Sequence, residues 1–338
     1  MKKEQFVPLM AHHAVNGARL SQNRILGLRK KQIAPGHLYQ GPWLSWLWHR
    51  VHLAHSPLRR QARSGHKAPD LMECARAFIP ALKKLNARSW SFISMGCGDG
   101  HKDLLFLNEL RRSVPSVFYR PTDISAELVS QAMRSAEGFR TIQTQPGVIC
   151  DLSAPTIFRD MARLSQQTDA AKGFLFFGIN PNFPQAEFFH LLKKALKTSD
   201  VLVFSANLTP GNDALAGMKK ILPQYDNRET REWLLGFLQQ IGIPFDPSGL
   251  RMSIEEFHSP TRHFAFVATY HFPHHTVVDL NGEKIRFRKN ERLELFRSYR
   301  HTPDSLRVFC RKAGISIADI CVTLDGQEAA ILCTKKAS

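Results

Sequence analysis

Between Ser89 and Leu208 short apolar runs alternate with amphipathic stretches, and this alternation restricts the fold more than any other feature. SWSFISMG (89–96), SVFYRPTD (116–123), GFLFFG (173–178) and DVLVFSANL (200–208) have the length and content of strands. HKDLLFLNELRRS, SAELVSQAMRSAEG with Ser125 as its cap, and a stretch over about 185–197 carry apolar residues at helical spacing. A further helical stretch follows TIQTQPGVICDLS. The order predicts an α/β fold, a parallel sheet with helices on both faces. Just ahead, DLMECARAFIPALKKLNA has helical spacing, with Asp70 placed to cap it. Beyond Pro210 the rhythm changes to two or three helices over 212–243. Strands follow over 262–272 and 275–299, with Asn281-Gly282 as a hairpin turn. A helix over about 303–313 and two strands joined near Asp325-Gly326 end the chain.

The expected organisation is a basic, Trp-containing extension (1–69), a Rossmann-like core (70–209), an inserted α+β region (210–300) and a last helix and strands that complete the core (301–338). The extension reads as a helix-prone arm over 1–35, then GHLYQGPWLSWLWHRVHLAHS with Trp43, Trp46 and Trp48. That aromatic stretch could bind a surface or stack bases, but packing on the parent domain is the preferred reading. Of the net charge of +17, +11 lies in residues 1–69, which hold twelve Lys/Arg and one acid, Glu4. Such a segment attracts anions. No run approaches the roughly 20 apolar residues of a spanning helix, and no secretory signal is apparent. A cytoplasmic monomer is expected. The six cysteines show no C-x-x-C, so neither a zinc ribbon nor a disulfide framework is implied. His271, His274 and His275 fit a polar turn as well as a ligand set, and no metal is expected.

Gly96-Cys97-Gly98-Asp99-Gly100 follows the first strand of the alternation and opens a helix. Glycines there permit a tight turn and close approach to a ligand, and the helix start adds unpaired N–H groups. Alone the motif is weak evidence. The next strand ends in Asp123, a carboxylate suited to two ribose hydroxyls, and Asp151 ends a third, suited to an adenine amino group with Leu152 against the ring. Ligands of open α/β sheets bind at such strand ends.

Glycine loop, Asp123 and Asp151 in this order look like the S-adenosylmethionine site of class I methyltransferases. Four blocks narrow the resemblance: GCGDGHKDLLFL with Lys102, YRPTDISAELV, FFGINPNFPQAEFFHLLKKAL, and LPQYDNRETREWLLGFLQQIGIPFD. With the order of the late strands and a Ser-x-Arg turn at Ser298, the chain over about 70–338 resembles the histidine-specific methyltransferase family. The resemblance implies a class I fold, S-adenosylmethionine as cofactor, and Gly96, Gly98, Gly100, Lys102, Asp123, Asp151 and Leu152 as its site. It also implies that Asn182, beside Phe183, grips the substrate, that Tyr225 lies near the reacting amine, and that Ser298 helps hold the substrate. Phe296 stands where the family's histidine enzymes have a glutamate, which argues against histidine as the acceptor, since a buried charged end would lose its partner. Glu294 lies two residues back.

The expected reaction is methyl transfer to the nitrogen of a small amine or amino-acid-like substrate, with Tyr225 and Asp226 as the candidate catalytic groups. Two other readings stand beside it. Asn180-Pro181-Asn182-Phe183 differs by one residue from the Asn-Pro-Pro-Phe motif of nucleic-acid amino-methyltransferases, and the basic N-terminus suits a phosphate backbone. A degenerate cofactor-binding subunit without catalysis is the third.

Overall fold

The computed structural model describes residues 9–12, 17–56, 70–154, 156–164, 170–197 and 200–335. Its strands are β1 (Leu9–Ala11), β2 (Ser89–Met95), β3 (Ser116–Asp123), β4 (Ile142–Thr144), β5 (Gly147–Ile149), β6 (Ala171–Phe176) and β7 (Val201–Asn207). They continue with β8 (Leu250–Phe257), β9 (His263–His271), β10 (Thr276–Leu280), β11 (Glu283–Phe287), β12 (Arg292–Arg300), β13 (Ile315–Val322) and β14 (Glu328–Lys335). The large sheet runs β1-β5-β3-β2-β6-β7-β14-β13, with β4 also on β3. β1 to β7 pair in parallel, whereas β14 is antiparallel to both β7 and β13. The parallel alternation expected over 89–208 is therefore present, and the order reverses between β2 and β6, where such sheets open a crevice at their carboxyl ends.

Side chains of period two divide between the faces of this sheet. Ile93, Met95, Phe174, Phe176, Leu202 and Phe204 enter one core, with Phe189, Leu306 and Phe309 from covering helices. Trp90, Phe92, Leu175, Val201 and Val203 enter the other, with Leu71, Leu104 and Phe106. Strands buried on both faces explain the continuous apolar runs in the sequence.

A second body of structure stands above the carboxyl ends. β12, β9 and β8 form an antiparallel sheet, and β10 and β11 a hairpin. Asn281 and Gly282 make its turn with φ of 54° and 83°, the left-handed pair that a two-residue hairpin requires. The helix Pro42–His55 packs on the helix Arg228–Gln240. Gly236 makes this possible, because a Cβ there would come within 2.6 Å of Leu47 Cδ1. Leu28, Leu44 and Leu47 share one core with Trp233, Phe237, Tyr270 and Leu293. The aromatic segment thus packs on the rest of the chain, while Trp43 and Trp46 stay about half exposed.

Two expectations need correction. The stretch after Asp70 forms two helices, Leu71–Arg76 and Ile79–Lys83. Asp70 does cap the first, accepting from the N–H groups of Met72 and Glu73 at 2.8 and 2.9 Å, but Pro80 lacks the N–H that a continuous helix would use there. The arm over 1–35 holds a helix, Gly17–Arg29, yet it also supplies β1 to the edge of the large sheet. Part of this stretch, like the basic connector 57–69, lies outside the described residues.

Candidate active site

The carboxyl ends of the parallel strands open into a cavity of about 650 Å³, within the ordinary range of small-molecule sites. Its floor is the loop after β2. Gly96 and Gly98 have φ of 78° and 54°, which a side chain adopts only with strain. A Cβ on Gly98 would lie 3.0 Å from the ring of Trp48, and one on Gly96 would lie 2.6 Å from Ile179. The loop is therefore a cradle that added atoms would fill. Gly100 serves another purpose. It starts the helix His101–Arg111 at φ 73°, where a Cβ would come within 2.9 Å of Ala132. It does not line the cavity.

Asp123 ends β3 on the cavity wall. Its Oδ2 accepts from Gly98 N at 3.2 Å and its Oδ1 from Ser125 N at 3.1 Å. Burial pushes its carboxyl up to about 6 against these backbone donors. Asp151 and Leu152 line the same wall beyond β5, and Asp151 accepts from Ser153 N and Oγ at 2.9 and 2.6 Å. Lys102 projects in from the first turn of its helix, 3.6 Å from the Glu328 carboxylate. Beneath it Tyr119 donates to Asp103 at 2.8 Å, and burial raises that carboxyl to about 7.

The opposite end gathers Asn182, Phe183, Tyr225, Phe296 and Ser298. Asn182 closes the short 3₁₀ turn Asn180–Asn182, is buried, and donates from Nδ2 to the Tyr39 hydroxyl at 3.1 Å. Burial raises the pKa of Tyr39 strongly. The Tyr225 oxygen accepts from Asn207 Nδ2 at 3.2 Å and from Arg300 Nη2 at 3.1 Å, with Ser298 Oγ at 3.3 Å. With two donors already on its oxygen, Tyr225 is arranged to donate its own proton rather than to take one. Asp226 is not at the cavity. It accepts from Arg231 Nε at 2.6 Å in the turn before the helix Arg228–Gln240, so its geometry is that of a surface ion pair, against the catalytic role expected of it.

Phe296 is buried between Tyr225 and Trp233. A register shift in β12 falls between Glu294 and Phe296, so the two do not simply share a face. Glu294 instead takes two hydrogen bonds from Arg297, at 2.9 and 2.6 Å, and one from Gln32 at 3.0 Å.

Several lining residues escaped the sequence reading. Asn207 could have been found as a polar residue at the carboxyl end of a strand. Trp48 stood out in sequence only as part of an aromatic stretch, and nothing marked it or Tyr39 as lining a cavity, because they reach it from a segment far from the sheet in sequence. They roof the cavity, edge to face at 5.7 Å. Ser45 Oγ fixes this roof to the floor, 2.8 Å from Ser125 Oγ. Among the described residues no cluster of potential metal ligands occurs, and no helix is long and apolar enough to cross a membrane.

Solved structures resembling this one include a S-adenosylmethionine-dependent methyltransferase from Clostridium acetobutylicum, 13% identical, with 86% of this chain and 98% of that one covered at a TM-score of 0.41. Another is the 1,6-didemethyltoxoflavin-N1-methyltransferase of Burkholderia thailandensis, bound to 1,6-didemethyltoxoflavin and S-adenosylhomocysteine. It is 12% identical, with 90% and 92% covered and a TM-score of 0.42. No curated protein matches the chain. The family described as "Histidine-specific methyltransferase, SAM-dependent" matches residues 71–335. That span takes in the glycine loop, both strand-end acids and the far end of the cavity, and the chain belongs to this family of S-adenosylmethionine-dependent methyltransferases.

Proposed function

We propose that the protein methylates the nitrogen of a small amine. The observation that carries this reading is one cavity joining the glycine loop and Asp123 to the polar group of Asn182, Asn207, Tyr225 and Ser298. S-adenosylmethionine supplies an activated methyl on a sulfonium. The backbone of Gly96 to Gly98 would lie against such a ligand, Asp123 would accept from its ribose, Asp151 and Leu152 would meet its base, and Lys102 would offer a cation to its carboxylate.

The remaining work is alignment. Asn182 spends its amide nitrogen on Tyr39, which leaves the amide oxygen for an N–H of the acceptor. Tyr225 and Ser298 present hydroxyls that orient a second polar atom. The nitrogen must arrive with a free electron pair. Among the described residues no carboxylate hydrogen-bonds the Tyr225 hydroxyl, so in this reading the proton leaves to water before transfer. Tyr39 and Trp48, which roof the cavity, would shield a bound cofactor from bulk water.

The base-extruding reading of Asn180-Pro181-Asn182-Phe183 has less support, because Asn182 is engaged with Tyr39 from the N-terminal roof and a strand would have to enter beneath it. A gel-shift titration at low salt tests that alternative. The main reading is tested with labelled cofactor and a metabolite extract, before and after nuclease treatment. Label on the nitrogen of a small molecule is expected. Nuclease-sensitive label, or label on oxygen or carbon alone, would overturn it.

A further inference from the structure

The acceptor end of the cavity is walled by rings in an unbroken series. Trp48 stands edge-on to Tyr39 at 5.7 Å, and Tyr39 meets Trp233 at 5.4 Å. Trp233 stands edge-on to Phe296 at 5.5 Å, and Phe296 lies nearly parallel to Tyr225 at 6.5 Å. All five line the cavity.

Two polar groups along this wall are already engaged. Trp233 Nε1 donates to Leu38 O at 2.8 Å, so only its ring remains for a ligand. Glu294, the lining acid nearest the rings in sequence, is gripped on both oxygens by Arg297. Arg297 also reaches Glu255 at 3.3 Å. Both oxygens of Glu294 are thus already taken, although the cluster holds two carboxylates to one guanidinium. Asn207, Ser298 and the Arg300 guanidinium meet on the Tyr225 oxygen, and Asn182 is joined to Tyr39. Such a site has one polar point and one flat apolar side. A second cation or a hydrogen-bonding heterocycle placed on the apolar side would be desolvated without a partner, which is costly. An aromatic ring placed there gains edge and face contacts with Phe296, Trp233 and Tyr39.

We infer that the acceptor is an amine carried on an uncharged aromatic body, with the nitrogen at the polar point and the ring against Phe296 and Trp233. This rests on the nitrogen-methylation reading and names its substrate class. Methyl transfer leaves the ring untouched: the nitrogen forms a bond to the methyl, the methyl–sulfur bond breaks, and the sulfur keeps the electron pair.

The test compares matched acceptors with the full-length enzyme and S-adenosylmethionine. Phenethylamine and 2-(naphthalen-1-yl)ethylamine are set against histamine, ethanolamine and butane-1,4-diamine. The expected result is kcat/KM at least about ten-fold higher for the two aromatic hydrocarbon-bodied amines. In Phe296→Ala the KM for phenethylamine rises about ten-fold or more, Phe296→Leu falls between, and cofactor affinity by calorimetry stays within about two-fold in both. Cofactor binding also reports that the variants fold. Equal or better turnover of histamine or the diamine overturns the aromatic assignment and leaves nitrogen methylation standing. Cofactor binding with no methylation of any amine overturns both.

Discussion

Asp123 concentrates the chemistry of the cofactor end in one side chain. In the proposed cofactor site a ribose hydroxyl would donate to its charged form, and burial holds the carboxyl at about 6. Lowering the pH from 7.5 to 5.5 should therefore weaken S-adenosylmethionine binding several-fold. Asp123→Asn should bind weakly and show no such dependence, and calorimetry at the two pH values checks both. The same burial acts on the free protein with a definite sign. The unfolded carboxyl loses its proton first, so this group's contribution to stability declines as pH rises toward and through about 6. His301 acts oppositely. It is buried, with Nε2 2.7 Å from Gln185 Oε1, and burial lowers its pKa to about 3. The unfolded imidazole takes a proton near 6.5 while the folded one resists, so stability from this group is lost as pH falls below about 6.5. His301→Gln should cost stability at pH 8, and its deficit against the parent should shrink by pH 5, measured as the difference in thermal midpoint. Residues such as Gly98 and Asp123 were legible because their work is done by local backbone geometry and strand ends. Tyr39 and Arg300 were not, because their roles exist only once distant segments meet.

Whole elements were legible where their period was clean. The strands buried on both faces announce themselves as apolar runs, and the Asn281-Gly282 hairpin as a dipeptide. The register shift in β12 has no comparable sign. It accompanies the placing of Phe296, and not Glu294, beside Tyr225 and Trp233, a distinction that the sequence alone leaves to a two-residue slip. The fit between β6 and β2 is equally hidden. A Cβ on Gly173 would fall 2.1 Å from the Phe92 ring, in a sheet with no slack on that face. Gly173→Ala should therefore lower stability by about 1–3 kcal/mol, read as a shift in the urea midpoint with little change in slope.

At the scale of the molecule the active site is a joint between two packed bodies, and Gly236 sets how closely they meet. Gly236→Val should push the helix Pro42–His55 off the helix Arg228–Gln240 and lift Tyr39 and Trp48 from the cavity. KM for the amine should rise by about ten-fold or more, while the large sheet keeps its far-ultraviolet circular dichroism. The excess positive charge of the first 69 residues was visible at once, yet its neighbours in space were not. The helix that carries Arg50 also carries His55, and they pair with Glu232 and Glu229, acids about 180 residues further on.

That long connection has a consequence during synthesis. Leu44 and Leu47 leave the ribosome long before Trp233 and Gly236, and Gln32 before Glu294, with which it forms a backbone bridge. Until the helix Arg228–Gln240 and then β12 have emerged, the roof has an apolar face and no complete surface to lay it on. The nascent chain must shelter that face while the parallel sheet forms, so the roof is made first and seated late. An enzyme assembled in this order becomes competent only once β12 has been made, when that strand gives the roof its place.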